Sequence, residues 1–168
     1  MGEALVSEPR QDGVVVGEGR QSVAVFCDGA MEPVNPGGHG AAAFIVQSSG
    51  KTIHTESIYL GKEPGNTNNL AEYVALIRAL EYLRREVGDI KVSSDSKLLI
   101  EQMRGNWKAK GGAYFFYHQD AKALVEHLRS QGRQVEFNWI PREKNFEADK
   151  LCLDELARHG VRPAKRKR

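Results

Sequence analysis

Cysteine is scarce in this chain of 168 residues: Cys27 and Cys152 are the only two, and they stand 125 positions apart in apolar surroundings. That spacing excludes a disulfide framework and the paired-thiol pattern of a zinc site, and it reads as two buried free thiols. Long apolar runs are lacking as well. No segment approaches the roughly 20 consecutive apolar residues that a membrane-spanning helix needs. The first residues have neither the basic start nor the apolar stretch of a secretory signal, so a cytoplasmic protein without membrane contact is expected. Charge of one sign is also missing: 24 Lys and Arg face 22 Asp and Glu, a net of +2. No global field therefore draws the chain toward polyanions.

What remains is an ordinary globular composition, 40% hydrophobic and 27% charged, at the length of one domain. Charge is uneven at the ends. Residues 1–20 carry four acids against two arginines and show no sustained period, which reads as a flexible leader. Residues 158–168 carry six Lys and Arg and no acid. The expected division is a leader over 1–20, one folded domain over 21–159 and a basic, solvated tail over 160–168. A monomer is expected.

"SVAVFCDG" (22–29) is apolar on both alternating faces, as a strand covered on both sides would be. "GGHGAAAFIVQ" and "KTIHTESIYL", separated by "SSG", read as a hairpin. A helix is predicted over 66–86, with Thr67 or Asn68 as N-cap. A short strand over 90–96 and a short helix stopped by Gly105 follow. "NWKAKGG" is a basic loop. Residues 113–131 read as a helix with Tyr117, Ala121, Leu124 and Leu128 on one face, 135–141 as a strand, and Asn145 opens a last helix to about His159. This order, β-β-β-α-β-α-α-β-α, predicts a mixed α/β sheet with helices on both faces.

Four carboxylates break the pattern. Within the 66–86 helix the apolar stripe runs through Leu76, Ala79, Leu80 and Leu83, and at 100° per residue Glu72 projects onto it. Asp149 repeats the anomaly against Phe146, Cys152, Leu153 and Leu156, while Glu147, Asp154 and Glu155 fall on the far side. Asp28 and Asp95 stand where core strands run out at their carboxyl ends, the edge at which α/β sheets put their sites. Each precedes a small residue, Gly29 or Ser96, that leaves room for a ligand. Singly, such residues are turn formers or favourable charges at a helix start. Four inward acids without four inward cations repel one another, and divalent cations resolve the repulsion; all-oxygen ligands favour Mg²⁺ or Mn²⁺. Two such ions about 3.5–4 Å apart are the usual apparatus for phosphodiester cleavage.

"FCDGA", "NTNNLAEYVALIRAL", "VSSDSKLLIEQMRGNW" and "WIPREKNFEADKL" together resemble ribonuclease H of the type 1 branch, the reverse-transcriptase-like prokaryotic members in particular, over about residues 22–157. The resemblance implies a ribonuclease H-like fold, a five-stranded mixed sheet in the order 3-2-1-4-5. It implies endonucleolytic cleavage of the RNA strand of RNA–DNA hybrids, leaving 5′-phosphate and 3′-hydroxyl ends. It places the family's acidic quartet on Asp28, Glu72, Asp95 and Asp149, with Asp28 bridging two Mg²⁺ or Mn²⁺ ions, Glu72 and Asp95 serving the one near the leaving oxygen and Asp149 the one that activates water. Thr67 would meet a DNA phosphate, Asn68 and Asn69 the minor groove, and Asn35 belongs to the loop beside the first aspartate. Such recognition is by shape and 2′-hydroxyl. Trp107, with Lys108 and Lys110, reads equally as a contact to the DNA strand by stacking and charge and as a solvated loop with an anchored Trp.

Two departures stand out. Many members carry a His in the loop before the last Asp; here "PREKNFEAD" has none, and lower turnover or altered metal preference follows as an expectation. The basic protrusion of some members is reduced to "NWKAKGG". Two other readings stay open: a non-catalytic hybrid-binding domain, expected to have lost a quartet member, and a DNA-acting nuclease of the same superfold, against which the "TNN" element counts.

Overall fold

The computed structural model describes residues 21–164. The leader expected over 1–20 and the last four residues of the basic tail, 165–168, lie outside them. The elements run β1 (Ser22–Glu32), β2 (His39–Ser48), β3 (Lys51–Lys62), α1 (Asn68–Leu83), β4 (Asp89–Ser94), α2 (Lys97–Met103), α3 (Phe115–Ser130), β5 (Val135–Trp139) and α4 (Phe146–Arg158), with a short 3₁₀ turn over Arg142–Lys144. They form one five-stranded sheet ordered β3-β2-β1-β4-β5. β1 to β3 are antiparallel; β4 and β5 run parallel to β1.

The β2–β3 connection is the tight hairpin that "SSG" foretells: Ser49 and Gly50 both take positive φ, 51° and 76°, the conformation whose twist matches the flanking strands. β2 separates two cores. Ala42, Phe44 and Val46 face the larger one, which α1, α2 and α3 cover with Leu76, Leu80, Leu99, Ile100 and Leu128. Ala41 and Ala43 face the smaller one beneath α4, with Ala30, Cys152, Leu156 and Val161. The alternation explains why β2 reads as apolar throughout. The small side chains on the second face let α4 lie close to the strands. Both cysteines are buried free thiols, as expected.

Several boundaries differ from the reading by periodicity, each for a physical reason. β1 does not stop at Asp28 but continues to Glu32, paired with β2 alone, because Ala30 and Met31 are buried there. α1 is shorter than 66–86. Thr67 caps it by accepting from Leu70 N at 3.1 Å, and its last turn is closed by Arg133, whose buried guanidinium donates to Leu83 O at 2.7 Å and Gly88 O at 2.6 Å. The buried face of α3 is His118, Ala121, Val125 and Leu128, with Tyr117 exposed in place of the expected inward contact. In α4, Phe146 is 61% exposed, and Ala148, Cys152 and Leu156 make the buried stripe. Glu155, expected to face solvent, accepts instead from Ser57 Oγ at 3.0 Å and pairs with Arg158. Residues 160–164, assigned by composition to the solvated tail, pack back on the domain: Val161 is buried and Ala164 N donates to Glu32 Oε2 at 2.9 Å.

At the free side of β5, every second residue turns its backbone outward, since Gln134 O serves Ile90 N. The outward carbonyls of Val135 and Phe137 are taken by Arg129 Nη2 at 2.7 Å and Arg104 Nε at 2.9 Å.

Arg133 thus closes α1 at the expense of a buried charge. Arg133→Met removes the donors to Leu83 O and Gly88 O and is expected to destabilise the domain by about 2–4 kcal/mol, measured as the shift in a urea unfolding midpoint at unchanged m.

Candidate active site

β1 and β4 are paired only as far as Phe26 and Ser93. Asp28 and Asp95 each lie two residues beyond that last pair, so the parallel register brings them level where the two strands part. α1 supplies the third acid. Its first turn comes so near β1 that a Cβ on Gly29 would fall 2.5 Å from Glu72 N and 2.6 Å from the Ala71 carbonyl carbon. The space expected to admit a ligand beside Gly29 is therefore taken by the helix, and the missing side chain is what lets Glu72 reach Asp28. One oxygen from each of Asp28, Glu72 and Asp95 lies within 4.8 Å of the other two. Asp149, half-buried in the first turn of α4, stands outside that group, though its charge reaches Asp28.

The surroundings fix these side chains without neutralising them. Gly29 N donates to Asp28 Oδ1 at 2.9 Å. The Ser96 hydroxyl lies close enough to Glu72 to favour its charged form, and its oxygen accepts from Leu99 N at 3.2 Å and caps α2. Ser96 is thus tied to protein groups, not held open for a ligand. Asp95 is gripped at both ends: Trp139 Nε1 donates to its backbone carbonyl at 3.2 Å and Asn145 Nδ2 to its carboxylate at 3.3 Å. Among the described residues no Lys, Arg or His forms an ion pair with Asp28, Glu72 or Asp95.

Burial, and then the charges of Asp95, Asp149 and Glu72, push Asp28 up from 3.8 to about 9 against the opposing bond from Gly29. Burial and Asp95 raise Glu72 from 4.5 to about 7, the Ser96 hydroxyl working the other way. The donor set is three hard oxygens, crowded and lacking a protein counter-charge. It fits a divalent cation with oxygen preference. The buried Oδ1 of Asn145, which has no hydrogen-bond partner among the described residues, is a further unsatisfied oxygen beside Asp95.

The RNase H family profile matches residues 20–162. The chain belongs to the ribonuclease H family. A bifunctional protein of Mycobacterium tuberculosis is 35% identical over 136 residues, 80% of this chain but 35% of the relative; the chain thus spans about a third of the length of the mycobacterial relatives it matches. A ribonuclease H of Aromatoleum aromaticum is 34% identical over 155 residues, covering 86% of this chain and 93% of that one. Among solved structures, the N-terminal RNase H domain of the M. tuberculosis protein superposes with a TM-score of 0.72 at 30% identity, covering 83% and 96% of the two chains. LC11-RNase H1, solved in complex with an RNA/DNA hybrid, gives 0.68 at 31%, covering 82% and 98%.

In this ribonuclease H family chain the remaining predicted contacts lie on the β1–β2 loop, the start of α1 and the loop between α2 and α3. Asn35, in the β1–β2 loop, accepts from Asn68 N at 3.1 Å, so this loop and the start of α1 are one unit. Thr67 spends its hydroxyl oxygen on the helix cap, and Asn68 and Asn69 are half-buried beside it. Trp107 is 45% exposed on the loop between α2 and α3. Sequence reasoning missed Asn145 and Trp139. Asn145 was read as a residue that opens α4, but its side chain makes no cap; it turns inward to donate to Cys27 O at 2.8 Å as well as to Asp95. No periodic signal marks either residue, because each acts on an acid distant in sequence.

The linkage sign is definite for Asp28. Its folded value lies above its unfolded one, so the stability tied to its proton is complete below pH 4 and is lost as pH rises through about 9. In EDTA, Asp28→Asn is expected to melt above the parent, by a margin that widens between pH 5 and pH 9. Thermal melts across that range check it; a margin independent of pH contradicts the burial and repulsion described.

Proposed function

We propose that this chain is a metal-dependent endonuclease that hydrolyses the RNA strand of RNA–DNA hybrids, leaving 5′-phosphate and 3′-hydroxyl ends. One observation carries the reading: in a chain of the ribonuclease H family, three carboxylates from β1, α1 and the end of β4 converge within 4.8 Å, and among the described residues no Lys, Arg or His pairs with them. Asp28, Glu72 and Asp95 would hold Mg²⁺ or Mn²⁺, with Asp149 completing a site for two ions. When bound, such ions supply a nucleophilic hydroxide at neutral pH and stabilise charge on the leaving oxygen. The chain's own residues do the rest. Ser96 and Asn145 hold Glu72 and Asp95 in place, so that little reorganisation is needed at the moment of reaction. Gly29 sets the distance from α1 to β1.

Substrate choice follows from groups at the same end of the fold. Asn35, Thr67, Asn68 and Asn69 form a polar, uncharged surface beside Glu72, suited to 2′-hydroxyls and base edges in a wide minor groove. Trp107 and Lys108, on the loop between α2 and α3, would meet the DNA strand of a hybrid by stacking and charge. The complex of LC11-RNase H1 with an RNA/DNA hybrid supports this assignment of substrate. The loop before α4 carries Arg142, Glu143 and Lys144 where many members have a His, and no described group there replaces it. Lower turnover or an altered metal preference is expected.

Incubation with end-labelled hybrid, matched RNA and DNA duplexes, and EDTA controls tests the activity. Cleavage is expected in the hybrid alone, restricted to its RNA strand and abolished by EDTA, with Asp28→Asn reduced to the EDTA background. An active Asp28→Asn variant refutes the site. Metal binding is tested separately by melting. A cation at ten times its Kd adds about 1.4 kcal/mol, a rise of roughly 3–6 °C for a domain of this size. Asp28→Asn is expected to lose most of that rise, and a flat response of the parent at millimolar Mg²⁺ and Mn²⁺ contradicts a functional site.

A further inference from the structure

A buried polar cluster lies behind the carboxylates, where α1, α2 and α3 meet. Its centre is Gln102 of α2, 4% exposed. Every atom of its amide is engaged. Oε1 accepts from the Tyr73 hydroxyl at 2.6 Å, and Nε2 donates to Lys108 O at 3.4 Å and to the Tyr114 hydroxyl at 3.3 Å. Because the Tyr73 proton goes to Gln102, His118 Nδ1, 3.0 Å from the same phenolic oxygen, is the protonated nitrogen and donates to it. Burial, assisted by Lys122, lowers the His118 pKa and keeps the ring neutral. Tyr114 stacks on Tyr73 with centroids 5.7 Å apart and planes 4° from parallel.

The cluster joins two places that matter for the reaction. Tyr73 is the residue after Glu72, on the first turns of α1. Lys108 follows Trp107 on the loop between α2 and α3. The α2 end of that loop is held by Asn106 N and Trp107 N, which donate to Glu101 O at 2.9 and 3.2 Å. Beyond Trp107, the tie to the core runs through the Lys108 carbonyl. A buried amide is costlier than a methionine of similar length, and here both donors go outward, to the loop and to Tyr114, not to the backbone of its own helix. The same loop forms one wall of a cavity of about 460 Å³, opposite His118, Gln119 and Lys122 of α3, so without a latch it has space to move into.

We propose that Gln102 is a positioning residue: it latches the Trp107–Lys108 loop to Tyr73 and so sets the loop's register relative to Glu72 and the affinity for the strand that the loop touches. This rests on the reading of the chain as a hybrid nuclease. Gln102→Met keeps length and apolar packing but removes both donors and the acceptor. On a labelled hybrid it is expected to raise KM about five- to tenfold, the scale of one or two hydrogen bonds, with kcat within about twofold. The amides of residues 107–111 should exchange faster with deuterium.

A Trp107→Ala background decides between a latch and a packing role. If Gln102 acts through the loop, Gln102→Met adds no further rise in KM there. If it only supports the fold, the melting temperature falls in both backgrounds while KM and loop exchange stay at their parental values, and the proposal is overturned. A full, additive effect in the Trp107→Ala background overturns it as well. Should Gln102→Met not fold, Tyr73→Phe keeps the ring in place, removes the hydroxyl to which Gln102 is tied and carries the same two readouts. A parent chain that leaves the hybrid intact refutes the nuclease reading instead; loop exchange in Gln102→Met then still decides the latch, which is overturned if exchange is unchanged.

Discussion

Three carboxylate oxygens brought within a few ångströms repel one another, and much of this fold can be understood as the frame that withstands the push. No covalent link and no basic side chain offsets it among the described residues. The frame is backbone and packing. Parallel register sets Asp28 level with Asp95, a glycine lets α1 press against β1, and large buried side chains on α1 keep it there. The strain is electrostatic and local, so it is relieved by a proton on Asp28, whose pKa is pushed up to about 9, or by a cation that enters the gap. Such a cluster of hard oxygens has the chemistry that suits a small, hard cation.

Much of this could be read from the residues alone, and the parts that could not share a cause. Glu72 betrays itself because a charge on an apolar helical stripe violates a period, and Asp28 and Asp95 because each is a charge that directly follows a strand-forming run. Thr67 announces a helix start. The order of elements followed from alternation and turn residues. Asn145, Gln102 and Trp139 stayed hidden. Each has an unremarkable local position and a partner in another element: Asp95 lies 44 and 50 positions from Trp139 and Asn145, and Tyr73 lies 29 from Gln102. Gln102 sits in "LLIEQM", where a polar residue marks the wet face of an ordinary helix, yet a tyrosine 29 positions earlier buries it. Gly29 shows the opposite error. Its smallness was legible, but whether the room served a ligand or a helix depended on tertiary packing.

The same limit explains the small shifts along α3 and α4. On α3 the apolar period favoured Tyr117 as the inward residue. His118 displaces it because a buried imidazole with a phenol to bond is no longer a polar residue in an apolar place. On α4, Phe146 looked like the start of the stripe, but Asn145 turning in toward β1 rotates the helix entry and leaves the ring outside. Hydrogen bonds between distant elements, in both cases, overrule hydrophobic periodicity by one residue.

The two guanidinium groups along β5 have a consequence for how copies of this domain treat one another. A sheet that ends in an open strand offers its outward carbonyls to any passing chain. On this side Arg104 and Arg129, anchored on helices of the same domain, already hold the carbonyls of Phe137 and Val135. A second molecule arriving edge-on would have to evict both cations before gaining a rung. Crowding many copies together therefore carries no built-in tendency for them to fuse along this border into a continuous sheet.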